Sequence, residues 1–516
     1  MRNARPSRLV LFAVVALVAT SLALASFPTT PPNDPLYAPA TCPPMTTCNG
    51  PTGQWNLLST NDNVPATTGA SGISADLAWQ VTTGRPDTII GVLDSGVDYD
   101  HEDLRNKVWL NCGELPAPEQ ANGQTVAGSS PGCREPTKVY DLNGDGVFNV
   151  QDYAADPRVT DLNTDGVVDR GDLTVFADGI DNDGDGYVDD LSGWDAVNDD
   201  GDEFDDRFFG HGTGRAGIVA PETNNALGVA GICPQCPLMN VRIDYTYVCS
   251  SAGVAKGAIF AVDHGARVIN MSLGCTTTSR MLRGVFEYAR RNNVLAFDAM
   301  ANEFSFHQNV PAIYHHVVGV GAITANNRNA TTTWLQKANF SNFGAHVQLV
   351  GPTDMPGASM ALSGGLPNHS AYSQTQSGTS SSTPHAVGVA ALVFSRARDL
   401  IEGSMLPVGG LALQDISAEE VRQILERSAQ DITPTDGTSY AVSTGWDKWT
   451  GYGRLNAKAA VDMVSATTIP PEADMTAPDW YGLVDSTVIP ASRIRTPAVR
   501  KVKKRRWVRS MIPESA

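Results

Sequence analysis

Three polar residues stand in settings that suit nucleophilic catalysis. Asp94 directly follows the β-branched run Thr88–Leu93, and Ser95-Gly96 turns the chain behind it. A carboxylate there could bind a metal, cap a helix or orient an imidazole. His211 lies between glycines in Gly210-His211-Gly212-Thr213-Gly214, which leave its ring unobstructed and let the backbone approach closely. Ser380 lies in Ser377-Gly378-Thr379-Ser380-Ser381-Ser382-Thr383-Pro384-His385, ahead of the apolar stretch Ala386–Ser395. Proline is tolerated in the first turn of a helix, so Ser380 is expected at or just before a helix N-terminus. Free N–H groups and the helix dipole favour developing negative charge there, which suits an acyl-transfer nucleophile as well as a plain N-cap.

Such groups need a scaffold that brings them together. Thr88–Leu93, Val268–Leu273, Val294–Phe297 and Val317–Val320 read as short buried parallel strands. Helical patterns cover 253–264 and 280–292, and a further helix starts near Ser380 and runs through Ala386–Arg396. Ser417–Ser428 opens with Ser-Ala-Glu-Glu, a capping box, and is amphipathic. Alternating strands and helices imply an α/β fold with a mostly parallel central sheet flanked by helices. Active sites in such sheets lie beyond the carboxyl ends of the strands, which is where Asp94 falls.

The segments "VLDSGVDYDHEDL", "GHGTGRAGIVA" and "SGTSSSTPHAVGVAAL" occur in the order Asp, His, Ser. Together they resemble the three signature segments of the subtilisin-like (subtilase, S8-type) serine peptidases, and the likeness runs from roughly Asn33 to Val464. The resemblance implies that Ser380 is the nucleophile, His211 the base and then the acid, and Asp94 the group that orients His211. The family's oxyanion asparagine, usually preceded by glycine, matches Asn302 in "VLAFDAMANEF", with Ala301 in the glycine's place. Ser381 and Ser382 stand where the family often has Met-Ala, and Pro311 matches a proline that is often cis. Ser272-Leu273-Gly274 resembles the edge segment that pairs with extended peptide, which implies broad endopeptidase activity on polypeptide substrates. Glu303 falls where the family lines the pocket for the residue before the scissile bond, and pointing inward it would admit basic residues.

Between Asp94 and His211 lie 116 residues. Residues 141–206 within them hold 21 acidic side chains and two basic ones, and so carry essentially all of the chain's net charge of −18. Two repeats there have EF-hand spacing. The first offers Asp141, Asn143, Asp145, the Val147 carbonyl, Asn149 and Asp152; the second Asp161, Asn163, Asp165, the Val167 carbonyl, Asp169 and Asp172. Hard oxygen ligands at this spacing predict Ca²⁺ as cofactor. The pair resembles the calcium loops of dockerin modules, which leaves calcium-dependent docking to another protein open beside a structural role. A third run, Asp181, Asp183, Asp185 and Asp189, starts alike but has Ser192 at the twelfth position, and resembles the "DGxGYVDD" calcium segment of longer subtilases. Asp103 and Asn225 match ligand positions of the family's strong calcium site.

Arg2, Arg5 and Arg8 precede an apolar run from Leu9 to Ala25 that ends in Ala23-Leu24-Ala25. This is the pattern of a cleaved secretory signal peptide, which predicts a secreted protein with no stable membrane span after cleavage. Eight cysteines fit export. Sequence proximity suggests pairs 42–48, 112–133, 233–236 and 249–275 among 105 possibilities. The acidic balance speaks against binding nucleic acid through its phosphates. The expected organisation is a signal peptide (1–25), an extended, weakly ordered leader (26–70), the peptidase domain (71–465) with its insertion (141–206), and a tail (466–516) that is basic over 493–509. "NDPLY" onward resembles the start of a mature subtilase, so the usual folding-assisting prosegment is not expected. The rival reading is a catalytically dead calcium-dependent binding protein on the same scaffold.

Overall fold

The computed structural model describes residues 27–37, 53–59, 72–125, 140–275, 277–306, 309–324, 336–363, 366–403, 407–408, 411–412, 415–433, 440–465 and 468–470. The run after Arg-Pro becomes β1 (Ile90–Asp94), buried at every position. Its side chains alternate between two layers. Ile90 and Val92 join a cluster on one face, and Leu93 joins a second cluster on the other. A strand covered on both faces has no polar side to show, which is why the sequence reads as an uninterrupted apolar run.

Eight strands form the sheet. With β2 (Gly193–Asp195), β3 (Leu238–Arg242), β4 (Val268–Met271), β5 (Leu295–Ala299), β6 (Val317–Thr324), β7 (Gln336–Lys337) and β8 (Val347–Pro352), the order is β2-β3-β1-β4-β5-β6-β7, and β8 also pairs with β6. Every pair is parallel except β6–β7. The chain places β3 on one side of β1 and β4 on the other, so the winding reverses at β1 and leaves a crevice past its carboxyl end.

Helix α1 (Ala75–Ala78), α2 (His211–Val219), α5 (Thr379–Glu402), α6 (Ala418–Ser428) and α7 (Ala457–Asp462) share the cluster with Ile90 and Val92. Helices α3 (Ser251–Asp263) and α4 (Arg280–Arg291) share the other with Leu93. The expected capping box is present: Ser417 Oγ accepts from Glu420 N–H, and Glu420 Oε2 accepts from Ser417 N–H.

The structure departs from the sequence reading in three places. Strands β2, β3, β7 and β8 were not foreseen. In β3 the polar Asn240 and Arg242 interrupt the apolar signal, and buried Arg242 is neutralised by Asp195 of β2 at 2.9 Å. Pro384 is the sixth residue of α5, beyond the first turn. Its missing N–H leaves the Ser380 carbonyl without a helical donor, and the Ser272 hydroxyl fills that place at 2.9 Å. Within the 26–70 leader, Trp55 and Leu57 are buried in the core, and Gln54 exchanges two hydrogen bonds with the Ala230 backbone. An apolar anchor amid Pro, Thr and Asn was hidden by the composition around it. The insert carries a core of its own: Tyr140, Phe148, Val150, Tyr153, Leu173 and Leu191 bury themselves with Tyr99, Val108, Leu110 and Leu115.

Disulfides join Cys233 to Cys236 and Cys249 to Cys275. Cys112 is disulfide-bonded, whereas Cys42, Cys48 and Cys133 lie outside the described residues. So do residues 1–25 and all of 471–516. Among the described residues no helix is long and apolar enough to cross a membrane.

Candidate active site

Three elements deliver the three polar groups. Asp94 ends β1 and is buried; its Oδ1 accepts from His211 Nδ1–H at 2.7 Å and from Ser95 N–H at 2.8 Å. His211 opens α2, and its ring remains partly exposed. Gly210, the residue before it, sits at φ 73° with no side chain to cap the helix. Neighbours supply the caps: Asp205 accepts from Gly210 N–H at 2.7 Å, and Ser95 Oγ accepts from Gly212 N–H at 3.2 Å. A Cβ on Gly212 would lie 2.1 Å from the Gly96 carbonyl, so the helix start can press this close to β1 only with glycine there. The bond between Asp94 and Nδ1 leaves Nε2 as the ring's free nitrogen, the tautomer a general base requires.

Ser380 is the second residue of α5, at its electropositive end. Its Oγ donates to the Ser272 carbonyl at 3.2 Å, while Ser272 Oγ donates to the Ser380 carbonyl. The two serines are thus mutually tied, and the edge segment Ser272-Leu273-Gly274 is fastened to the helix that carries Ser380. The Ser380 hydroxyl must leave that carbonyl before it can give its proton to another acceptor.

Asn302 leans on the same helix. Its Oδ1 accepts from the Thr379 N–H at 2.9 Å and the Thr379 hydroxyl at 3.0 Å. A backbone N–H can bond only the amide oxygen, so the amide's orientation is fixed and Nδ2 keeps its protons for another acceptor. Nδ2 stands 3.3 Å from where a Cβ on Gly378 would be, and Gly378 itself is at φ 98°. Ala301 lies at φ 73°, the left-handed conformation that explains why glycine is the usual residue there.

Around this core, Leu273 is buried, and Gly274 pairs with residues 247–249 through Gly274 N–H to Tyr247 carbonyl (2.9 Å) and Cys249 N–H to Gly274 carbonyl (3.2 Å). The Cys249–Cys275 disulfide fastens the same two segments. Glu303 is exposed, and its carboxylate accepts from Asn342 Nδ2 at 2.7 Å. The peptide bond Val310–Pro311 is cis, as the resemblance implied. The exposed rings of Phe209 and Tyr247 flank His211, with centroids 6.1 and 5.4 Å away. Sequence reading did not single them out; two adjacent phenylalanines before Gly210-His211 were the available signal.

Residues 85–453 match the Subtilase family, Peptidase S8. The match covers well over half of the chain. The chain belongs to the subtilase family. Curated relatives include a thermophilic serine proteinase of Bacillus sp. (strain AK1), 34% identical over 56% of this chain and 61% of that protein. Thermitase of Thermoactinomyces vulgaris is 31% identical over 52% of this chain and 81% of thermitase. A thermostable alkaline protease of Halalkalibacterium halodurans is 35% identical over 36% of this chain and 47% of that protein. The subtilase chain thus spans about three fifths of the first relative and about half of the third.

The acidic insert of this subtilase repeats one hydrogen-bonded scaffold three times. Asp141, Asp161 and Asp181 each accept from the glycine five residues on, at 2.9, 2.8 and 2.9 Å. Asp145, Asp165 and Asp185 each accept from the N–H two residues on, at 2.8, 2.8 and 2.9 Å. Asn143 and Asn163 turn Oδ1 to the N–H of Asp145 and Asp165. Asp152 and Asp172 close their loops by accepting from Leu142 and Asn149, and from Leu162 and Asp169, respectively. Asn149 caps a helical turn through Gln151 N–H. In the third run, Asp181, Asp183 and Asp185 bring oxygens within 4.8 Å of one another. The Asp189 carboxylate accepts from Asp178 and Gly179 N–H, and Ser192 turns away to Glu203.

Asp103 is fully buried and accepts from Asn225 Nδ2 at 2.8 Å and Val229 N–H at 2.9 Å. Burial pushes its carboxyl up to about 7. Asp34, buried at 2%, accepts from the N–H groups of Asn224 and Asn225 and so joins the same cluster. It was missed because it lies 69 residues before Asp103, in the leader.

Proposed function

We propose that this subtilase is a secreted, calcium-stabilised serine endopeptidase acting through Asp94, His211, Ser380 and Asn302. The observation that carries the reading is the bond from His211 Nδ1 to Asp94 at the end of β1, together with a serine in the first turn of α5. Ser380 Oγ attacks the peptide carbonyl carbon as His211 Nε2 takes its proton. The C=O becomes an oxyanion, to which Asn302 Nδ2–H donates. Collapse breaks the C–N bond, His211 gives the proton to the departing amine, and an acyl-enzyme remains. Water, deprotonated by His211, attacks the ester, and Ser380 leaves with its proton restored. Extended polypeptide would add along Ser272, Leu273 and Gly274 by taking over the Gly274 N–H and C=O that meet Tyr247 and Cys249 in the free protein, with Glu303 beside the pocket for the residue before the scissile bond.

The donor sets fit Ca²⁺. They consist of carboxylate, amide and carbonyl oxygens at EF-hand spacing: Asp141, Asn143, Asp145, Val147, Asn149 and Asp152, then Asp161, Asn163, Asp165, Val167, Asp169 and Asp172. Asp181, Asp183, Asp185 and Asp189 would serve a third ion, and Asp103 with Asn225 and Asp34 another. Bound cations supply positive charge that offsets mutual repulsion of the carboxylates. A structural role is favoured over docking to a partner because the turns after both loops are buried against the peptidase body at Val150, Tyr153 and Leu173.

The test is fluorophosphonate labelling of the exported protein, in Ca²⁺ and in excess chelator, beside Ser380→Ala. Labelling that needs both Ser380 and Ca²⁺ is expected. A folded protein that takes no label in Ca²⁺ would favour the binding-protein reading instead.

A further inference from the structure

At the third acidic loop, three carboxylates from two stretches of chain converge. Glu114, Asp183 and Asp190 each bring an oxygen within 4.8 Å of the other two. Glu114 and Asp190 are 4% and 0% exposed. Glu114 Oε1 accepts from the N–H groups of Asn182 and Asp183 at 2.7 and 3.1 Å, but Oε2 is buried and has no hydrogen-bond partner among the described residues. Asp190 Oδ1 accepts from Asn111 Nδ2 at 2.9 Å, while its buried Oδ2 meets only the His264 ring, at 3.1 Å. Asp183 packs against Gly113 so closely that a Cβ there would stand 2.3 Å from Oδ2.

The charges do not balance. His264 is the basic group touching this cluster among the described residues, and Asp185 shares it at 2.5 Å. One imidazolium faces Asp185 and Asp190, and nothing positive among the described residues reaches the buried Oε2 of Glu114. Carboxylates are rarely buried unless paired or ligating a metal, because removing their hydration is costly. An all-oxygen donor set with three carboxylates selects a hard divalent cation, and the loose geometry of separate chain segments suits calcium better than the strict octahedron of magnesium.

We propose that Glu114, Asp183 and Asp190 form a further Ca²⁺ site, outside the two complete repeats and sharing Asp183 with the third run. It would clamp residues 111–114 to the third loop, and through His264 to the end of α3. The site matters for the insert because Asn111, Glu114 and Asp190 belong to no repeat; the ion would join the insert to the sheet body rather than order one loop.

Calcium titration calorimetry on the full chain, after exhaustive chelation, tests this. Glu114→Gln keeps the acceptor for Asn182 and Asp183 and removes the charge, and Asp190→Asn does likewise for Asn111. Each is expected to bind one Ca²⁺ fewer than the parent, or the same number with one affinity at least tenfold weaker. Asp161→Ala, in the second repeat, should lose a different ion, so that its combination with Glu114→Gln loses two. Unchanged stoichiometry and affinities in a folded Glu114→Gln or Asp190→Asn protein would overturn the site. A full complement in Asp161→Ala with one ion lost in Glu114→Gln would leave this site standing and remove the repeats. If Glu114→Gln fails to fold, Asp190→Asn decides the matter.

Discussion

Replacing Asn302 separates the two things its amide does. Oδ1 holds Thr379 through its N–H and hydroxyl, and Nδ2 is left to meet the oxyanion. Asn302→Ala removes both. Thr379 is fully buried, so its N–H and hydroxyl lose their acceptor at a cost of about 1–3 kcal/mol of stability. The lost donor should lower kcat about 10²–10³-fold, equivalent to about 3–4 kcal/mol of transition-state stabilisation. KM should change little, because the donor meets the oxygen only once it carries charge. Asn302→Asp is the sharper variant. It keeps an acceptor for Thr379 but sets an anionic oxygen where the donor stood. Its melting temperature should stay close to the parent's while kcat falls at least as far as in Asn302→Ala. The assay is kcat and KM on a chromogenic peptide, normalised by active-site titration, with thermal unfolding run in parallel. A kcat within about threefold of the parent in either variant would refute the oxyanion assignment. Equal stabilities of the Ala and Asp variants would refute the proposed hold on Thr379.

Three further predictions rest on local geometry. Ala301→Gly should stabilise the protein by about 0.5–1 kcal/mol, since a left-handed L-residue costs about 1–2 kcal/mol and glycine's extra chain entropy returns part of it; an unchanged or lower melting temperature would count against strain at this position. Ser272→Ala should destabilise by about 1–3 kcal/mol by orphaning the Ser380 carbonyl, and adding Pro384→Ala, which restores an N–H, should recover part of the loss; additive effects would sink that account. Lys107 is buried with its ammonium on the Pro234 carbonyl at 2.6 Å, and burial pushes its pKa down to about 8. Below about pH 8 both folded and unfolded chains carry the charge. From there to its unfolded value near 10.4 only the unfolded chain holds the proton, so stability should rise with pH by on the order of 1 kcal/mol per unit. Denaturant melts of the parent and Lys107→Met between pH 7 and 10 check this, and a constant difference between them would refute it.

The sequence determined much of this protein by itself. The three signature segments, their order and the apolar runs between them identify the family and the parallel sheet. They are legible because each is a local requirement: a strand buried on both faces must be apolar, and a helix start pressed against a strand must have glycine. The capping box at Ser417 was equally local. The acidic repeats were legible because residue spacing within one loop is written in consecutive residues.

What the sequence left undecided depends on partners far apart in the chain. Strand β3 was hidden because Arg242 is buried by virtue of Asp195 and Asp206, and no window around residue 240 contains those partners. Trp55 and Leu57 sit in a segment whose composition suggests looseness, yet the core receives them. Pro384 enters the body of α5 because Ser272, 112 residues earlier, supplies the missing donor. Asp34 joins Asp103, and Glu114 meets Asp183 and Asp190, only once the chain has folded. Sequence periodicity reports what each residue needs from its immediate neighbours. Which distant group satisfies a buried charge, a bare carbonyl or an unpaired oxygen is settled by packing, and in this subtilase those are the contacts that hold the insert, the serine helix and the imidazole in one place.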